Sequence, residues 1–111
     1  MEVEQQAHGA VAVLKPSGPL LEADADRFKG TALDAIAKNL GRVVIDASAM
    51  AFVDSRGIEV LADVTDELSQ SGRALKLCAA NATVRQILDL TGLADTFEFF
   101  EDVNTGVRSF L

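Results

Sequence analysis

Polar and apolar residues follow two different periods along the chain, and the change of period marks the elements. Val3 to Gln6 is weakly strand-like, His8-Gly9 is a turn signal, and Ala10-Val11-Ala12-Val13-Leu14 is a short apolar run ending at Pro16. Together they predict a hairpin of two strands. Ser17-Gly18-Pro19 breaks the second strand. From Ala23 to Asn39 the apolar positions Ala25, Phe28, Ala32, Ile36 and Leu40 recur at helical spacing and make one face. Asp24 and Asp26 in the first turn and Lys38 in the last suit the helix dipole, and Gly41 is the stop signal.

The alternation then repeats. Arg42-Val43-Val44-Ile45-Asp46 is a β-branched run between turn signals and predicts a buried strand. Asp54-Ser55-Arg56-Gly57 opens a second helix with Ile58, Leu61, Val64 and Leu68 on its apolar side, ended by Ser71-Gly72. Ala74 to Ala79 is the next strand. Asn81 is the expected N-cap of a third helix through Val84, Ile87, Leu88 and Leu90, with Gly92 just past its end. Thr96 to Phe100 is a short last strand, and Asp102 caps a final helix, Val103 to Phe110. The order is β-β-α-β-α-β-α-β-α, an α/β arrangement. Strand-helix-strand alternation favours right-handed crossovers and parallel pairing, so the expected sheet is mixed but mostly parallel, of about five strands with about four helices.

Composition bounds what such a fold can do. At 111 residues the chain is expected to form a single domain, residues 1–111, with one core. Its net charge of −7, with no cluster of Lys or Arg, argues against direct nucleic-acid binding and against docking on anionic lipid. No apolar run approaches a membrane span of about 20 residues, and the acidic N-terminus lacks an apolar signal region. The expected compartment is the cytoplasm. The one cysteine, Cys78, lies in a strand-like run and reads as a structural thiol. The only histidine, His8, sits beside a turn glycine, far in sequence from any candidate nucleophile. No catalytic acid–base pair, Cys/His zinc set, Gly-rich phosphate loop or other cofactor motif is present. Neither an enzyme nor a metal site is expected. Glu22-Ala23-Asp24-Ala25-Asp26 reads as the acidic start of a helix rather than an ion site.

The segment Val43 to Ile58 runs from a buried strand through a short apolar loop to a serine at a helix N-terminus. Backbone amides there are unpaired and carry the positive end of the helix dipole, so the fold tolerates an anion at Ser55. A phosphate would add about −1.5 to −2 charges at that point. The same residues also have a purely structural reading, with Asp54 or Ser55 as the N-cap and Gly57 allowing close packing.

Phe52-Val53-Asp54-Ser55-Arg56-Gly57-Ile58, after an apolar strand ending in Asp46, resembles the phosphorylation-site region of STAS domains, in particular those of the anti-sigma-factor antagonists. The likeness continues through Gly72-Arg73-Ala74-Leu75-Lys76-Leu77, and through Asn81 to Leu90 with Thr91-Gly92-Leu93 after it, and upstream at Ser17-Gly18. The resemblance implies a STAS fold and a non-enzymatic switch. The unphosphorylated antagonist binds an anti-sigma factor, often a serine kinase. Phosphorylation at the position of Ser55 ends the contact, and a phosphatase restores it. The expected partner surface is the loop and helix start, Phe52, Val53, Asp54, Ser55, Arg56, Gly57 and Glu59, where a small apolar patch beside polar groups suits a transient contact. A second role known in such domains is an accessory subunit docked on the ATPase of an ABC transporter. Three positions depart from the pattern. Arg56 replaces a small residue, Glu59 a frequent glycine, and Pro19 stands where an acidic residue is common. An arginine beside the acceptor can pair with a phosphate or shield the serine from a kinase.

Overall fold

The computed structural model describes residues 1–111. Strands β1 (Val3–His8) and β2 (Val11–Pro16) form the antiparallel hairpin. Its turn is Gly9-Ala10, and Gly9 takes φ +62°, a left-handed conformation that costs glycine little. Then follow α1 (Glu22–Lys38), β3 (Val43–Asp46), α2 (Ser55–Ser69), β4 (Leu75–Cys78) and α3 (Ala82–Leu90). A 3-10 turn (Ala94–Thr96), β5 (Phe97–Phe100) and α4 (Val103–Arg108) complete the chain. The element order is the one the periodicity predicts.

The five strands lie side by side in chain order, β1-β2-β3-β4-β5, with β2 to β5 parallel. Each crossover from β2 onward steps to the next strand in the same direction. Right-handed connections therefore place α1, α2 and α3 on one face of the sheet. Side chains alternate between the faces accordingly. Leu14, Val43, Ile45, Leu75, Leu77 and Phe97 join Phe28, Leu61, Val64, Leu68 and Leu88 from the helices in the main core. Val11, Val13, Val44 and Cys78 point the other way. Each fully buried Leu, Ile or Phe in such a core contributes about 1.5–3 kcal/mol relative to exposure.

Only α4 covers the second face. Gly106 sits directly on the Cys78 sulfur, where a Cβ would collide. Lys76 on β4, nearly buried, donates to Ser109 Oγ at 2.7 Å just past the helix, and its ammonium lies 4.3 Å from the centre of the Phe110 ring. These contacts hold a helix too short to persist alone.

Helix faces differ from the sequence reading at two points. The buried stripe of α1 is Ala25, Phe28, Ala32 and Ala35. Leu40 is 71% exposed because the helix has ended before it: Leu40 and Gly41 both take positive φ, and the Gly41 amide turns back to the Ile36 carbonyl at 2.9 Å. In α3, Val84 and Leu88 are buried, while Leu90 points to solvent.

Candidate functional site

The amino ends of α1, α2 and α3 all lie at the carboxyl edge of the parallel strands, where open α/β sheets place their sites. The loop from β3 to α2 is fixed there from several sides. The Ala47 amide donates to the Cys78 carbonyl at 2.8 Å, Ser48 N–H to Asp46 Oδ1 at 3.0 Å, and Asn81 Nδ2 to the Ala51 carbonyl at 3.2 Å. Met50 and Val53 are buried and anchor the loop in the main core.

Its last residues pair with the chain entering α1. Leu20 N–H donates to the Phe52 carbonyl at 3.0 Å, and Asp54 N–H to the Leu20 carbonyl at 3.1 Å, a one-residue parallel bridge of Leu20 with Val53. That bridge brings the starts of α1 and α2 together, and one carboxylate then serves both helices. Asp54 Oδ1 accepts from Gly57 N–H at 2.8 Å as the N-cap of α2. Its other oxygen accepts from Glu22 N–H at 2.8 Å in the first turn of α1, which has no side-chain cap of its own. These backbone bonds, the one from Gly57 foremost, hold the Asp54 carboxyl below its ordinary value of 3.8. Gly57 is required where it stands. A Cβ would lie 2.5 Å from the Leu20 carbonyl oxygen and 2.8 Å from Val53 Cγ1.

Because Asp54 caps the helix, Ser55 is free of that task. It occupies the first helical position and is exposed. Arg56 turns away toward α1, its guanidinium bonded to Asp26 and, at 2.9 Å, to Glu59 Oε2. Those two carboxylates, Asp26 first, raise its pKa further. Close in sequence to the serine, Phe52 is 46% exposed, and Leu21 at the entry to α1 is 37% exposed.

Of the residues expected on the partner surface, Phe52, Ser55 and Glu59 are exposed, and Asp54 and Arg56 are partly so. Val53 and Gly57 are corrections. Both are buried, Val53 as a core anchor and Gly57 against the Leu20 backbone, so neither offers a side chain to a partner. They shape the surface from beneath. Glu22 and Asp26, bonded to Asp54 and Arg56, were not expected there. They lie 32 and 30 residues upstream of their partners, and the acidic helix start was the available signal.

Elsewhere, His8 is exposed at the end of β1. Cys78 is buried, and burial first of all pushes its thiol up to about 11. Glu22, Asp24 and Asp26 lie on the first turns of α1, and no group of three or more His, Cys, Asp or Glu side chains is placed to hold a metal ion. No helix is long and apolar enough to cross a membrane. A cleft of about 580 Å³ lined by Asp63, Asp66, Arg73, Leu93 and Asp95 does not include the Ser55 segment.

Comparison with known proteins agrees with this architecture. The anti-sigma-F factor antagonist RsfB of Mycobacterium tuberculosis is 33% identical over 104 residues, covering 91% of this chain and 84% of that protein. Among solved structures, an anti-sigma factor antagonist from Mycobacterium paratuberculosis superposes with a TM-score of 0.82 at 24% identity, covering 97% of this chain and 92% of the other. The Bacillus cell fate determinant SpoIIAA, in its phosphorylated form, superposes with a TM-score of 0.73 at 15% identity, covering 99% and 100%. A family model of the STAS domain matches residues 2–106, and the chain is a member of that family.

Proposed function

We propose that this protein is an anti-sigma-factor antagonist that acts in the cytoplasm and is switched at Ser55. Unphosphorylated, it binds an anti-sigma factor that is also a serine kinase. The kinase transfers the γ-phosphoryl group of ATP to Ser55 Oγ, ADP leaves, the hydroxyl proton passes to a base of the kinase, and the complex dissociates. A phosphatase hydrolyses the ester and restores binding.

The observation that supports this most is the division of labour at the start of α2. Asp54 does the capping, so the neighbouring Ser55 hydroxyl is exposed and unneeded by the fold. A phosphate there meets the positive end of a helix of 15 residues, so the domain tolerates it. A partner seated on the exposed Phe52 side chain and the start of α2 would not, because it must desolvate a dianion. The 33% identity to a protein named as an anti-sigma-F factor antagonist supports the partner class.

The test is incubation with a cognate kinase and ATP followed by mass spectrometry, together with affinity measurements on two variants. Phosphate is expected on Ser55. Ser55→Ala should bind constitutively, and Ser55→Asp should bind at least about tenfold more weakly, some 1.4 kcal/mol. Equal affinity of Ser55→Asp and wild type, or modification confined to another residue, would overturn the proposal.

A further inference from the structure

Two charged residues of the switch segment, Arg56 and Glu59, are partners of each other. Arg56 Nη1 donates to Glu59 Oε2 at 2.9 Å, three positions on along the same helix, and Nη2 bonds Asp26 Oδ1 across the α1–α2 boundary. Helical spacing brings the first pair together. The side-by-side packing of α1 and α2 supplies the third member. The guanidinium is one-third exposed, and its carboxylate partners are 81% and 65% exposed for Asp26 and Glu59. Ion pairs between groups this exposed are weak and exchange readily.

Arg56 is also the immediate neighbour of Ser55, and Glu59 lies one helical turn beyond it. A phosphate on Ser55 would face Glu59 at the spacing where like charges repel. It would also offer the guanidinium fork two or three oxygens and nearly twice the charge of a carboxylate. The phosphate is then a stronger acceptor for Arg56 than either carboxylate. The guanidinium is turned toward α1, so it reaches the phosphate by a change of side-chain rotamer, and leaving Asp26 and Glu59 costs little because water replaces it there.

We propose that Arg56 is the charge-exchange residue of the switch, paired with Asp26 and Glu59 while Ser55 is bare and turning onto the phosphate when Ser55 carries one. This rests on Ser55 being the modified residue. Phosphorylation then alters the surface in three places. The phosphate appears partly neutralised, and the Asp26 and Glu59 carboxylates lose their cation and stand free on α1 and α2. A partner that touches the start of α1 would sense the modification without reaching Ser55. Arg56 is thus a positioning residue, acting through the groups it leaves and the phosphate it meets.

The experiment uses the full chain with phosphoserine built in at position 55 during synthesis, so its outcome does not depend on any kinase. Nitrogen and phosphorus NMR of the Arg56 guanidinium is the readout. In the unphosphorylated chain, Asp26→Asn should shift the guanidinium resonances. In the phosphorylated chain they should move to a new position, show scalar coupling to phosphorus across the hydrogen bond, and no longer respond to Asp26→Asn. Guanidinium resonances that are unchanged by phosphorylation and equally sensitive to Asp26→Asn in both states would overturn the exchange. Failure of Ser55 as a substrate would show separately, as absence of transfer in the kinase assay.

Discussion

Helices α2 and α4 begin alike, on opposite faces of the sheet. Each has an aspartate N-cap in extended backbone that accepts the amide three residues on, at 2.8 Å from Gly57 for Asp54 and 2.7 Å from Thr105 for Asp102. Each carboxyl is held below its ordinary value mainly by that backbone bond. Each helix carries a buried glycine pressed against the rest of the fold, Gly57 on the Leu20 carbonyl and Gly106 on the Cys78 sulfur. They differ in what surrounds the cap. Asp54 uses its second oxygen to bind the start of α1, and the next residue is an exposed serine followed by Arg56. Asp102 caps its own helix, and the next residue, Val103, packs against the second core cluster. An aspartate-capped helix start is thus a local structural device, and it becomes a candidate site only where a second element is tied to it.

The glycines give the largest contrast. Gly57→Ala places a methyl against a backbone carbonyl that cannot move aside, and should destabilise the domain by about 2–3 kcal/mol in a denaturant titration. Gly106→Ala collides with a side-chain sulfur, with Val44 and Phe100 at ordinary contact distance and no backbone atom in the way, and should cost about 1–2 kcal/mol. Adding Cys78→Ala should then recover at least about 0.5 kcal/mol relative to the sum of the single changes. Equal losses at the two glycines, or strict additivity in the double variant, would dissolve the distinction.

A charge test comes next. Ser55→Asp is expected to weaken partner binding about tenfold, whereas Asn104→Asp, an exposed change in the first turn of α4, should leave it unchanged. Comparable effects at both helix starts would mean that binding follows net charge rather than this surface.

Acid unfolding sharpens the comparison further. A carboxyl whose pKa is lower folded than unfolded contributes stability that is present above its unfolded value, near 3.8, and lost as pH falls through its folded value. Because Asp54 binds two helices and Asp102 one, Asp54→Asn should remove more of the fall in melting temperature between neutral pH and about pH 3. Identical profiles for Asp54→Asn and Asp102→Asn would show that the second bond, to Glu22, contributes nothing.

Gly30 on α1 is the control with the smallest expected effect. A Cβ there meets nothing within 4 Å, so Gly30→Ala should raise stability by about 0.5–1 kcal/mol through helix propensity alone. A loss instead would show that the glycine effects do not follow local space.

Much of the architecture was legible in the residue pattern because it depends on local rules. The strand and helix order follows from the change between periods of two and of three to four residues, and the caps at Asn81 and Asp102 follow from short polar side chains at helix starts, whereas the pattern left Asp54 and Ser55 both open as the cap of α2. The Ser55 segment was legible for the same reason, and also through its resemblance to a family. Burial at single positions was less so. Val53 looks like a surface loop residue beside Phe52, yet it is buried while Phe52 is 46% exposed. Their fates are set by the bridge to Leu20, a partner some 30 residues away that no periodicity identifies.

The sequence by itself determined which segments would be strands and helices, and that a hydroxyl would stand at the head of α2, since these depend on neighbours a few residues apart. Only the tertiary structure decided that Asp54 would cap two helices, that Gly57 would have no room for a methyl group, and that Arg56 would reach across to Asp26. Each of those facts requires α1 and α2 to start at the same edge of the sheet. That meeting is produced by right-handed crossovers and the burial of a shared core, and neither is written in any single stretch of the chain.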